Sequence, residues 1–261
     1  MLLSIIIPSF RQSALLKGAL ESIEMQRFTN YEVLVMDADS QDDTAAIVAR
    51  FAHLPVRMYS EPDAGIYDAM NKGIARSTGQ FLYFMGCDDR LASATVLEQV
   101  FADAEVVNNH VLYGDVIFTS NGYRYDGEFT MFKLIRGNIC HQAIFTRREV
   151  FDSLGKFDIR YKTYADWEFN MRWFGEAWVK RRYLLLVIAN FNTTGFSADL
   201  KDEVFFAEEP ALRKKYFPGI VRYLAFNLKK PLHYKAMQLL TFERLLALKV
   251  ISNFFAGQQE K

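Results

Sequence analysis

Apolar positions come in two rhythms through the first hundred residues. Short apolar runs, such as those at residues 4–7, 31–37 ("YEVLVMD"), 56–62 ("VRMYSEP") and 80–86 ("QFLYFMG"), read as strands, with Phe81 to Met85 buried. Between them, apolar residues recur at helical spacing. Leu15, Leu16, Ala19, Leu20 and Ile23 follow a capping residue at Ser13, and "TAAIVARFAHL" and "IYDAMNKGIARS" form a second and a third helix. Asp42 and Asp43 sit where the positive end of the second helix favours a carboxylate. Strand and helix alternating in this way predict a parallel, doubly wound sheet. Beyond residue 110 the pattern changes. "VLYGDVIF", the turn "SNG" and "YRYDGEF" predict a hairpin that adds antiparallel strands, and "RRYLLLVIANF" is a further strand. From about residue 203 the chain becomes helical and basic.

Composition narrows the classes. With 261 residues, 51% of them hydrophobic, the chain has ample material for a core. Lys plus Arg and Asp plus Glu both number 31, so the net charge of zero argues against a general nucleic-acid binder. Cys87 and Cys140 form no CxxC pair, which points away from a zinc site or disulfide framework and toward a reducing compartment. The apolar start lacks a basic leader and reads as a strand, and no uncharged apolar run of about 18 residues occurs. The expectation is a cytoplasmic protein, soluble or peripheral. No G-x-G-x-x-G follows the first strand, which disfavours a dinucleotide-binding fold.

Polar residues gather where the strands end. Ser9 follows the first strand, Asp37, Asp39 and Ser40 the second, Glu61 to Asp63 the third, and Asp88 with Asp89 the fourth. In an open α/β sheet, ligands bind beyond the carboxyl ends of the strands. Adjacent carboxylates such as Asp88 and Asp89 repel unless something positive compensates, and hard divalent cations favour them. Together these four strand ends describe a crevice for a metal and a nucleotide. For Asp37, capping and ligand contact both remain open. For Lys72, an i, i+4 ion pair with Asp68 competes with phosphate contact.

"SIIIPSF", "VLVMDADSQDDT", "SEPDAGIYDAMNKG", "FMGCDD" and "YADWEF" occur in an order that resembles the family 2, GT-A-fold bacterial glycosyltransferases of colanic-acid and exopolysaccharide biosynthesis, over residues 1–200. That resemblance implies a GT-A (Rossmann-like) mixed α/β sheet flanked by helices. Residues 1–105 would be its nucleotide-sugar half, 106–203 its acceptor half, and 204–261 a basic helical extension. It implies an inverting transfer from a nucleotide-diphosphate sugar, UDP-linked in preference to GDP-linked, to a lipid-linked saccharide. Ser9 and Asp37 would line the base and ribose end, with Asp63 and Lys72 close to the nucleotide. Asp88, with Asp89 beside it, would hold Mn²⁺ or Mg²⁺ on the diphosphate. Asp166 would be the base that deprotonates the acceptor hydroxyl. Two positions depart from the family pattern: Gly86 stands at the first Asp of D-x-D, and Ala165 where an acid precedes the catalytic Asp.

His141 in "ICHQAIF" faces either the acceptor or diphosphate, or the core, and "NTTGFS" is either a phosphate-closing loop or a turn. Tyr67 and Asn71 carry no assigned role, and Cys87 reads as a packed residue. Between Arg213 and Lys249 stand nine Lys or Arg and one acid, Glu243, interleaved with aromatics. A basic aromatic helix of this kind is expected on an anionic membrane surface, with a basic helical pair packed on the core as the alternative. The competing classes are a metal-dependent nucleotidyltransferase, which normally carries a basic Gly-rich loop after strand one where this chain has "PSFRQ", and a catalytically degenerate sugar-nucleotide-binding scaffold.

Overall fold

The computed structural model describes residues 1–125, 127–193 and 201–227. The first half runs β1 (Leu3–Ser9), α1 (Ser13–Glu24), β2 (Tyr31–Asp37), α2 (Thr44–Arg50), β3 (Val56–Ser60), α3 (Ile66–Arg76) and β4 (Phe81–Phe84). All pairings here are parallel: β1 lies between β2 and β4, and β3 adds to the outer side of β2. Every residue of β1 and β2 is buried, because helices cover both faces of this part of the sheet. Alternate side chains go to opposite layers. Ile6, Leu34, Met36 and Phe84 pack with Met70 and Ile74 of α3, whereas Ile5, Ile7, Val33 and Val35 pack with Leu16, Leu20 and Ile23 of α1. Gly65 opens α3 at φ +123°, a backbone conformation that a side chain would strain.

The second half continues with β5 (Arg90–Leu91), α4 (Val96–Val100), α5 (Ala104–Val107), β6 (Val111–Phe118), β7 (Arg124–Tyr125) and α6 (Met131–Leu134). A single 3₁₀ turn at His141–Ala143 leads into β8 (Ile144–Arg147), α7 (Arg148–Leu154), α8 (Ala165–Phe174) and β9 (Arg181–Phe191). β8 pairs antiparallel with both β4 and β6, and β9 lies parallel to β6 and antiparallel to β5. The order β3-β2-β1-β4-β8-β6-β9-β5, with β7 on β6, is the expected mixed α/β sheet. The hairpin after β6 forms, and among the described residues of "YRYDGEF" Arg124 and Tyr125 pair with it. Asp115 redirects the chain there, accepting from Arg124 Nε (2.6 Å), Gly127 N–H (2.8 Å) and Tyr183 Oη (2.9 Å).

Two further helices, α9 (Glu203–Tyr216) and α10 (Gly219–Asn227), lie in the segment expected as a basic extension. They bury Phe205, Phe217, Val221 and Ala225 in the same core as α6 and α8. Arg213 pairs with Glu209 of its own helix and lies over the Phe226 ring. The rest of the expected basic run, from residue 228, lies outside the described residues, as does the "NTTGFS" loop from residue 194.

Candidate active site

The two aspartates that end β4 have different surroundings. Met85 N–H continues the ladder to Ile6, and the chain then turns tightly at Gly86. Asp89 is 1% exposed, and its carboxylate accepts from Gly86 N–H (2.9 Å), Gln142 Nε2 (3.0 Å) and Asn192 N–H (3.3 Å). Burial and the neighbouring charge of Asp88 push its carboxyl above the ordinary range. Asp88 instead lines a cleft of about 370 Å³ and accepts from Asn192 Nδ2 at 3.1 Å. Asp89 staples the turn to β9 and to the 3₁₀ turn, so of the expected metal pair only Asp88 faces the cleft.

Gly86 has a steric reason. A Cβ at this position would lie 2.8 Å from both Asp88 Oδ1 and Asp89 Oδ2, so the carboxylates occupy the space that a first Asp of D-x-D would need. Among the described residues no group of three His, Cys, Asp or Glu side chains could cage a metal. A lone, partly exposed carboxylate fits the other mode of divalent binding, in which one or two carboxylates share the ion with substrate phosphates and water.

Asp166 lines the same cleft from the first turn of α8. It is 7% exposed and held from several directions. Oδ1 accepts from Trp167 N–H (2.8 Å) and from Tyr67 Oη (3.0 Å), whose proton is shared with the Thr163 carbonyl (2.9 Å). Oδ2 accepts from Asn138 Nδ2 (2.8 Å) and lies 3.2 Å from His141 Nδ1. Asn170 donates to the Asn138 side-chain oxygen (2.8 Å) and accepts from Trp173 Nε1 (2.8 Å). Burial and the adjacent Asp166 raise the Tyr67 phenol well above its ordinary range, which keeps it a neutral donor. Ala165 is fully buried, so an acid there would stand in the apolar core.

The remaining cleft wall is aromatic. Phe118 and Phe191 end the parallel pair β6 and β9, Tyr125 stacks on Phe118 at 5.3 Å, and Tyr125 Oη donates to the Asn138 carbonyl (2.5 Å). Beside the cleft lies a second recess of similar size, sharing Pro8, Gln12 and Ile66 with it. Ser9 and Asp63, two of the residues expected around a nucleotide, line this recess with Phe10, Ala38 and Gly65. Asp63 accepts from Gly65 N–H (2.9 Å), and burial raises its carboxyl above the ordinary range.

Asp37 and Lys72 line neither cavity. Asp37 is 4% exposed, and its oxygens accept from Ser40 N–H (3.1 Å), Ser40 Oγ (2.5 Å) and Ser60 Oγ (2.6 Å). Lys72 donates to the Pro62 carbonyl (2.6 Å) and pairs with Asp68 (3.2 Å), the i, i+4 alternative open in the sequence. Sequence reasoning gave no role to Asn138, Gln142, Asn192 or Tyr67; their partners lie 28 to 104 residues away, beyond any local spacing.

A mixed α/β sheet of this order, flanked by helices and with a cleft beyond the end of β4, is a GT-A-like fold. Residues 4–163 match the model of glycosyl transferase family 2, and the chain belongs to that family: it is a glycosyltransferase. It is 39% identical over 213 residues to the "PGL/p-HBAD biosynthesis glycosyltransferase" of Mycobacterium tuberculosis, covering 79% of this chain and 83% of that one. It is 25% identical over 213 residues to the uncharacterized glycosyltransferase YwdF of Bacillus subtilis (77% and 79%). These relatives are not named for colanic acid, so the likeness they carry is to the family as a whole. Among solved structures, Staphylococcus aureus TarS 1-349 matches at TM-score 0.65 and 19% identity, over 87% of this chain and 73% of that one. The mannosyltransferase PcManGT of Pyrobaculum calidifontis matches at 0.60 and 15%, over 97% and 79%. Both share the fold.

Proposed function

We propose that the chain is an inverting glycosyltransferase that moves a sugar from a nucleotide-diphosphate sugar to a hydroxyl of a lipid-linked saccharide in polysaccharide biosynthesis. One observation carries the reading: Asp88 and Asp166 line a single cleft, from which the Ser9–Asp63 recess opens. The recess takes the nucleotide, and Asp37, bonded to Ser40 and Ser60, immediately precedes its lining residue Ala38. The diphosphate then lies toward Asp88 and the acceptor toward Asp166. TarS in complex with UDP and with UDP-GlcNAc, and PcManGT with GDP-Man and Mn²⁺, support a nucleotide-sugar donor, and UDP is favoured.

Asp88 would hold a Mn²⁺ or Mg²⁺ ion, which neutralises charge growing on the diphosphate as it leaves. The protein's own part is to hold the donor in the recess and to receive the acceptor's proton at the Asp166 end. One carboxylate at the leaving group and one across the cleft suit a single displacement with inversion. The halves 1–105 and 106–203 then bind donor and acceptor respectively. The helices after residue 203 place Phe206, Ile220, Tyr223 and Phe226, each 37–62% exposed, where the enzyme would meet an anionic membrane at the inner face of the cell. No described helix is long and apolar enough to cross one.

The test is donor hydrolysis and sugar transfer with UDP-, GDP- and TDP-sugars, with Mn²⁺ and with excess EDTA. Turnover of one donor class that vanishes in EDTA and returns with Mn²⁺ is expected; full turnover in EDTA contradicts the metal assignment. Co-sedimentation with anionic but not neutral liposomes at low salt tests the membrane assignment.

A further inference from the structure

Strand register builds the aromatic wall of the cleft. Phe118 and Phe191 are partners across β6 and β9, and Tyr125 pairs with Val116, two residues before Phe118 on the same face. The Phe118 ring accordingly has Tyr125 stacked on it at 5.3 Å and Phe191 beside it at 5.7 Å. Asp115 holds Arg124 and Gly127 on either side of Tyr125, which fixes where that ring stands. Val116 and Phe129, packed with these rings, are buried, whereas Phe118, Tyr125 and Phe191 are half-buried and line the cleft. The three rings close the core on one side and face the cleft on the other.

The wall is also fastened to the end of the cleft that receives the proton. Tyr125 Oη donates to the Asn138 carbonyl (2.5 Å), and Asn138 Nδ2 donates to Asp166 Oδ2 (2.8 Å). One residue thus sets the spacing between the rings and the carboxylate. The side chains of Phe118 and Phe191 carry no charge and no hydrogen-bonding group, so this wall holds neither an ion nor a diphosphate. What it can take is an apolar face. A pyranose ring has one: its equatorial hydroxyls point outward around the rim, while axial C–H bonds cover its faces. The face of an aromatic ring carries the negative part of its quadrupole and draws such weakly positive hydrogens, and the contact removes apolar surface of both rings from water. The rim hydroxyls stay free to reach polar groups.

Resting on the glycosyltransferase reading, we infer that Phe118, Tyr125 and Phe191 form an acceptor subsite that takes a pyranose ring by its C–H face. The ring lies flat on the wall, and the rim hydroxyl beside Asn138 is the one that meets Asp166. The donor, held by its nucleotide in the recess and by its diphosphate at Asp88, approaches from the other end of the cleft. Acceptor specificity then has two sources: which hydroxyl stands at that point of the rim, and the absence of an axial hydroxyl on the face that meets the rings. A lipid attached to the saccharide leaves from the rim and stays off the wall.

The experiment uses the full chain, the nucleotide sugar that the wild type turns over, and as acceptors the methyl and octyl pyranosides of glucose, galactose and mannose. Phe191→Leu keeps an apolar side chain but has no ring face, and is expected to raise the acceptor KM about three- to tenfold with donor Kd within about twofold of wild type. Tyr125→Leu, on the other side of Phe118, should do the same. Phe191→Tyr restores a ring and should return the acceptor KM to within about twofold of wild type. The increase should be equal for methyl and octyl glycosides, because the wall takes the ring. An acceptor KM left within about twofold of wild type by both Leu variants overturns the inference, as does a Phe191→Tyr as weak as Phe191→Leu. So does an increase confined to octyl glycosides, which puts the lipid chain on the wall, or a donor Kd weakened in step, which puts the donor sugar there. A wild type that hydrolyses its donor but transfers to no pyranoside overturns this inference alone; one that turns over no nucleotide sugar overturns the glycosyltransferase reading with it.

Discussion

The two ends of the parallel sheet treat carboxylates differently. At the amino end of β2, Glu32 is 1% exposed; its Oε1 accepts from Ser4 Oγ (2.7 Å), Thr78 N–H (2.6 Å) and Thr78 Oγ1 (2.7 Å), and Arg57 lies 3.2 Å from Oε2. Burial alone would raise its carboxyl, but these donors outweigh it and hold the group below the ordinary range. At the carboxyl end of β4, Asp88 accepts from one amide and faces a cleft. Asp37 and Asp89 sit at the same end yet are closed, each by three hydrogen bonds. What separates a staple from a ligand is therefore the number of lone pairs already used. Position at a strand end gives only the opportunity.

The contrast can be broken most directly at Asp88. Asp88→Asn is expected to reduce sugar transfer about 10²–10³-fold, the usual scale for one electrostatic partner of a leaving group. Its melting temperature should stay close to wild type; a variant that melts early and transfers normally would make Asp88 a staple too. Gly86→Ala comes next, because the new Cβ must push both carboxylates aside. An overpacking cost of about 1–3 kcal/mol is expected to appear in the Mn²⁺-dependent part of donor affinity, measured by titration calorimetry. Asp37→Ala releases Ser40 and Ser60 next to the recess residue Ala38, and should raise the donor KM by about the tenfold that one lost hydrogen bond is worth, with less effect on kcat. An unchanged KM removes Asp37 from the nucleotide site.

Glu32→Ala should leave transfer unchanged at permissive temperature and cost about 1–3 kcal/mol of stability through its unpaired donors. The pH dependence has a definite sign. Because the folded-state value lies below the unfolded one, Glu32 stabilises the protein above the unfolded value of about 4.3 and loses that contribution as pH falls through the folded value. The stability gap between wild type and Glu32→Ala should accordingly shrink on acidification below about pH 4. A gap that widens instead contradicts the assignment.

Legibility in the sequence followed how local each feature's cause was. β1, β2, β6 and β9 are dense apolar runs and were readable as strands, because burial alone requires such residues. β8 was not, since Ile144–Arg147 is four residues long and owes its extended state to β4 and β6 on either side. α2 was expected to reach residue 54 but ends at Arg50, where Phe51 N–H bonds the Val48 carbonyl and the chain turns toward Pro55. In the site, Asp88 could be picked out from its place after a core strand, whereas the inward turn of Asp89 depends on Gln142 and Asn192. Asp166 drew its role from family resemblance alone; the contacts that hold its carboxylate need Tyr67, Asn138 and His141, which only the fold assembles.

The central claim is that one cleft holds a donor end at Asp88 and a proton-accepting end built on Asp166. Asp166→Asn keeps the shape of the side chain and removes its charge, so it addresses that division directly. Donor Kd with Mn²⁺ and the rate of sugar transfer, measured on this one variant, decide the matter. The account predicts a donor Kd within about twofold of wild type and transfer reduced on the order of 10²–10⁴-fold. Near-normal transfer, or loss of donor binding in step with activity, would contradict it.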